Sequence, residues 1–135
     1  MKSTPGETSV TSSSALVSLR KAYPSLPESY FKFLEATNGT EGELGVEPGW
    51  AVVWCAEDAL VWSSQYRVPD YLPGYFAFGS NGGGELFVFS IEGDGAERQV
   101  QMVPAIGMAP EELQCVASSF DEFQRRIGRP FNADA

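Results

Sequence analysis

The chain has 135 residues, 43 % apolar and 13 % aromatic, which suits one domain with a packed core and excludes intrinsic disorder. It carries no histidine, so Ser-His-Asp and Cys-His nucleophile activation are excluded and the commonest metal ligand is missing. Its formal net charge of −9 excludes docking on a bare phosphate backbone, where lysine and arginine must displace counterions.

Residues 1–13 are rich in Ser, Thr, Gly and Pro and read as a flexible N-terminal arm before a single domain over 14–135. From Ser14, Leu16, Leu19 and Tyr23 fall at helical spacing, and Pro24 ends that helix. A second helix follows, with Ser25 and Glu28 at capping-box spacing and Tyr30, Phe31, Phe33 and Leu34 as its buried stripe. Gly39 stops it. The Gly- and Glu-rich residues 40–49 read as loop. Trp50 to Cys55 is a β-branched and aromatic run that predicts a buried strand, with Trp50 and Trp54 on one face. Glu57 and Asp58 open a short helix reaching about Tyr66, and the prolines and glycine of 67–74 predict a loop. Two aromatic runs, Tyr75–Phe78 and Glu85–Ser90, flank an Asn-Gly-rich turn and read as a hairpin. A turn at Gly93 and Gly95 leads to a strand over Gln99–Val103. Residues 104–117 carry no clear signal. Ser119 and Glu122 again have capping-box spacing, ahead of a last helix carrying Phe120, Phe123 and Ile127. Helices and antiparallel strands in this order make an α+β domain, with helices covering one face of the sheet.

The features that could carry catalysis have structural readings that weigh more. The Gly79–Gly84 stretch lies between two strands and has no lysine, unlike a phosphate loop. The carboxylate pairs Glu57-Asp58, Glu111-Glu112 and Asp121-Glu122 sit at expected helix starts, where negative charge is stabilising anyway. No calcium-loop spacing appears, and Cys55 and Cys115 have no partner at ligand spacing, so both read as small buried hydrophobes. No catalytic residue, cofactor or metal is expected. No apolar run approaches the ~20 residues of a membrane span, and Met1–Gly6 lacks the apolar stretch of a signal peptide, so a cytoplasmic protein is expected.

The acid is concentrated. Between Glu41 and Glu97 lie ten carboxylates and one base, Arg67. Trp62 and Tyr71 fall within the same stretch, and partly exposed aromatics among charges are what protein interfaces favour. Glu41, Glu43, Glu47, Glu57, Asp58, Trp62, Asp70 and Tyr71 are therefore the candidate partner-binding residues, suited to a basic protein partner.

Three blocks in order resemble the SMI1/KNR4 (SUKH) family. They are Leu26-Pro27-x-x-Tyr30-x-x-Phe33-Leu34 up to Asn38-Gly39, the Phe76–Phe89 hairpin with its glycine tip, and Val116-Ala117-x-Ser119-Phe120-x-x-Phe123. The resemblance implies an α+β fold with a mixed, largely antiparallel sheet flanked by helices, and a binding role without a shared catalytic centre. Many bacterial members are immunity proteins that neutralise toxins of nuclease or deaminase type. Fungal relatives serve as regulators of cell-wall synthesis and signalling. A basic toxin domain as partner is the first expectation, and a regulatory or scaffold role is the alternative.

Overall fold

The computed structural model describes residues 13–91 and 99–129. Its strands are β1 (Thr40–Glu43), β2 (Trp50–Val53), β3 (Tyr75–Ser80), β4 (Glu85–Ser90), β5 (Val100–Pro104) and β6 (Gln114–Ala117). Its helices are α1 (Ser13–Ala22), α2 (Glu28–Thr37), α3 (Ala56–Gln65), α4 (Val68–Tyr71) and α5 (Phe120–Arg126), with a 3-10 turn at Pro110–Glu112. The six strands form one sheet in chain order, and each neighbouring pair is antiparallel. This is the α+β arrangement that the sequence pattern implies. Apart from Ser13, the expected N-terminal arm lies outside the described residues, as do the turn at Gly93 and Gly95 and the acids Glu92, Asp94 and Glu97.

Strand alternation sorts the side chains into two layers. Phe76 and Phe78 of β3, Phe87 and Phe89 of β4, and Val100 and Met102 of β5 face the main core. That core is closed by Leu16 and Leu19 of α1, Tyr30, Phe31 and Leu34 of α2, and Phe120 and Phe123 of α5. Phe78 lies at its centre, stacked on Phe89 at 4.3 Å between ring centroids and edge-on to Phe123 at 5.6 Å. The opposite face is not bare. Ala77, Leu86, Val88 and Val103 pack there against Val68, Leu72 and Met108 in a smaller second core.

Tyr30 packs among Phe78, Phe89 and Phe120, and its hydroxyl is buried with no hydrogen-bond partner among the described residues. Burial pushes its phenol far above the usual range, since nothing there solvates the phenolate. An unpartnered buried hydroxyl costs about 1–3 kcal/mol. Tyr30→Phe is therefore expected to raise the unfolding free energy by about 1 kcal/mol, read as a higher urea midpoint at unchanged slope.

Three elements were not foreseen. The stretch read as loop over 40–49 contains β1, because pairing with β2 supplies order that its Gly and Glu composition does not advertise. The loop expected over 67–74 contains α4, which starts after Arg67 at φ 61° and places Pro69 in its first turn, where the missing N–H is harmless. Residues 114–117 form β6, an edge strand held by β5. Ser25 is not the cap of α2. Pro27 occupies that position without a side-chain bond, and the Ser25 hydroxyl donates to the Ile91 carbonyl instead. Glu28 turns to Arg20 at 2.7 Å. At α5 the expected cap forms, the Glu122 N–H donating to Ser119 Oγ at 3.0 Å. The Glu122 carboxylate accepts from the Ser118 hydroxyl and N–H and from Arg126, which together hold it at about 2.

The sheet curls, and its β1 end is tied to the chain that follows α5. Leu44 bridges to Ile127, the Gly45 N–H donates to the Arg126 carbonyl at 2.9 Å, and the Gly128 N–H donates to the Glu43 carbonyl at 2.6 Å. Near the other end of β2 the sheet splits. The Trp54 N–H still donates to the Phe78 carbonyl, and then the chain departs into α3. There Ser63, buried on α3, accepts the Ala77 N–H at 3.3 Å, so the helix takes over where β2 leaves β3. At this split α3 begins, and Trp54 at its start meets Trp62 and Tyr66 of the helix, which builds part of the candidate site.

Candidate partner-binding face

Direct cross-strand partners lie on one face of a sheet. Glu41 pairs with Val52 and Glu43 with Trp50, so both carboxylates stand on the outer side of β1–β2, away from Ala51 and Val53 in the main core. Trp50 donates its indole N–H to Glu41 Oε2 at 3.2 Å. Its ring runs beside the glycine tip of the β3–β4 hairpin, where a side chain on Gly82 would meet it at 3.4 Å. Trp50 and Trp54 were expected to be buried together. Trp54 is partly buried against both cores, but Trp50 is 40 % exposed, because β1 is an edge strand and no helix among the described residues covers this side of it.

The second part of the face belongs to α3. Ala56, Ala59 and Ser63 are its buried positions. Asp58, Trp62 and Tyr66 recur every four residues and so form one row along a flank of the helix. Trp62 and Tyr66 lean over Trp54, with ring centroids 6.5 and 6.3 Å away. Trp62 remains 41 % exposed and Tyr66 39 %. Glu57 and Asp58 occupy the first turn of α3, where negative charge suits the helix dipole.

All eight residues singled out from the sequence are exposed. The structure sorts them into three groups. Glu41 and Glu43 join Trp50 on the sheet edge, with Glu47 in the following β1–β2 turn. Asp58 and Trp62 share a row of α3, with Glu57 beside them. Asp70 and Tyr71 lie on α4 and both engage Arg67, whose Nε donates to Asp70 at 2.9 Å and whose guanidinium lies 5.7 Å from the Tyr71 ring centroid. The charge of Asp70 is thus matched within the chain. Trp50, Trp54 and Tyr66 were missing from the set. The alternation of 50 and 54 and the four-residue spacing of 58, 62 and 66 were the signals that could have found them.

Elsewhere the chemistry is muted. A shallow groove of about 520 Å³ between α2 and α5 carries two carboxylates, Glu28 and Asp121. Arg20 pairs with the first and holds it below the usual carboxylate range, and Arg125 pairs with the second at 3.4 Å. A general acid needs the opposite shift. Among the described residues, no group of three or more metal-ligating side chains converges. Neither cysteine is fully buried as expected. Cys55 is half-buried before α3, its thiol pushed up by burial, and Cys115 is exposed because β6 is an edge strand. No helix among the described residues is long and apolar enough to cross a membrane.

Comparison with known families decides the class. The model of the SMI1 / KNR4 family (SUKH-1) matches residues 11–126, most of the chain. The chain belongs to the SMI1/KNR4 family. No curated protein matches it in sequence. The matched span contains every helix and strand described above, and the family's domains are generally non-enzymatic immunity or scaffold domains. At that level the chain is an immunity-protein-like domain with a protein as partner.

Proposed function

We propose that this SMI1/KNR4 domain is an immunity protein that binds and neutralises a basic toxin domain of nuclease or deaminase type. Its contact surface is the outer side of β1–β2 together with the Asp58–Trp62–Tyr66 flank of α3. The observation that carries this reading is the exposed set of carboxylates and indoles on that face, with the nearest base in sequence, Arg67, already committed to Asp70 and Tyr71. A toxin acting on nucleic acid must be basic along its substrate groove, and an acidic plug with aromatic anchors suits such a surface. Long-range attraction between the two would carry association toward ~10⁸ M⁻¹s⁻¹ at low salt.

The test starts from the tagged chain in its native cells, with bound proteins recovered at low and high salt. A single basic partner carrying a toxin domain, released as salt rises, is the expected result. Recovery of a housekeeping complex instead would support the scaffold role. With the partner in hand, Glu43→Lys and Asp58→Lys together are expected to slow association about tenfold at low salt, at a stability cost of about 1 kcal/mol from the reversed charge at the α3 N-terminus. Neither side chain forms an ion pair among the described residues. Unaltered association kinetics would remove this face from the proposal.

A further inference from the structure

We infer that Trp54, Trp62 and Tyr66 form a receiving site for an arginine side chain of the partner. The inference rests on the binding role proposed above and narrows it to one chemistry. The three rings form a mutual cluster. Trp54 and Tyr66 are nearly parallel, 6° apart in plane, and Trp62 is tilted by 41° and 39° to them with centroids 6.5 and 5.8 Å away. The cluster is anchored from beneath, since Trp54 packs on both cores. Its upper rings face solvent on a soluble-facing helix flank, where two large aromatics side by side exceed what scattered surface apolar groups require.

The border of the cluster fixes the chemistry of its occupant. Asp58 stands one turn before Trp62 on the same row, and Glu57 is adjacent. A purely apolar occupant would strip water from Asp58 and leave its charge unmatched, which is costly. A cation satisfies both components, because aromatic faces attract positive charge and the carboxylate completes the pairing. Guanidinium suits the site better than ammonium. It is planar, weakly hydrated and able to stack on a ring while donating in its own plane to a carboxylate, whereas ammonium is a compact and strongly hydrated point charge. Among the described residues, no cation of the chain fills the site: the guanidinium–ring contacts there are Arg20 over Phe31 and Arg67 over Tyr71. Trp50 differs in kind: its N–H is held by Glu41, while among the described residues no side-chain hydrogen bond ties down Trp62 or Tyr66.

The test uses the full chain and two end-blocked peptides of equal charge, hexa-arginine and hexalysine, titrated at low salt by calorimetry and by the indole N–H signals. Hexa-arginine is expected to bind about fivefold more tightly than hexalysine and to shift the Trp62 indole signal, identified by its loss in Trp62→Phe. In the pair Trp62→Ala with Tyr66→Ala, the preference for arginine is expected to vanish while hexalysine affinity stays within twofold. Asp58→Asn is expected to weaken both peptides and serves as the check should the double variant not fold. Equal affinities for the two peptides, or a preference that survives the double variant, would overturn the inference. Equal, salt-sensitive binding of both peptides leaves the acidic partner face standing without an arginine site. Binding of neither peptide counts against both.

Discussion

Phe78→Ala is expected to cost about 3–5 kcal/mol, as for large core aromatics cut to alanine. The reason is its position rather than its size alone. The Phe78 ring meets Tyr30 at 5.6 Å, Phe87 at 6.1 Å, Phe89 at 4.3 Å, Phe120 at 5.6 Å and Phe123 at 5.6 Å. It is therefore a side chain through which α2, β4 and α5 all touch β3. Truncation leaves a void lined by rings that cannot collapse, because each is itself wedged by its neighbours. Aromatic pairs add about 0.5–1.5 kcal/mol beyond their buried area, and several would be lost together. Against a typical stability of ~5–15 kcal/mol, the variant would unfold at a much lower urea concentration, and at the lower end of that range it would not fold at growth temperature. Phe78→Leu, which keeps most of the volume, is expected to recover more than half of the loss. A Phe78→Ala midpoint close to that of the parent chain would show that the aromatic cluster does not hold the domain together.

This core was legible in the sequence because every ring in it obeys a simple period. Phe76, Phe78, Phe87 and Phe89 alternate along two strands, and Tyr30, Phe31 and Leu34 follow a helical stripe. The elements that escaped notice are those whose order comes from neighbours. β1 has a Thr-Glu-Gly-Glu sequence with nothing to bury, and its strand form is imposed by four cross-strand pairs with β2. α4 is a single turn enforced by Val68 and Leu72 docking into the second core. The candidate face was half legible for the same reason. Its acids stand out by composition, whereas the grouping of Trp54, Trp62 and Tyr66 depends on α3 leaving the sheet beside β3, which no local pattern encodes. The expectation that Trp50 is buried failed because burial of an alternating strand requires cover on both sides, and the outer side of β2 at Trp50 has none among the described residues.

Gly79→Ala is expected to destabilise the domain by about 3 kcal/mol or more, at or beyond the upper end of ordinary overpacking. Gly79 faces Val53 on β2 and Phe87 on β4. A Cβ there would sit 2.2 Å from the Val52 carbonyl oxygen and 3.3 Å from the Val53 Cα. Both obstacles are backbone, so no flexible side-chain end can move aside, and β2 must separate from β3. That seam is thin: Val52 with Ser80, Val53 with Gly79, and the single bond from Trp54 to Phe78. On the far side of β2 lies β1, whose end stays held by the Leu44–Ile127 bridge and the Gly45 and Gly128 backbone bonds, so the β1–β2 hairpin loosens from its β3 side, drawing Val53 out of the core and Trp54 out of the partner face. Amide exchange should report this as lost protection at Val52, Val53 and Trp54 ahead of β4 and β5, together with weakened partner binding. Gly42→Ala provides the control. Nothing lies within 4 Å of a Cβ at that position, so the variant is expected to stay within about 0.5 kcal/mol of the parent. Equal and small losses for the two variants would mean that β2 does not approach β3 at Gly79 as closely as described, and the argument that this seam supports the binding face would fall with it.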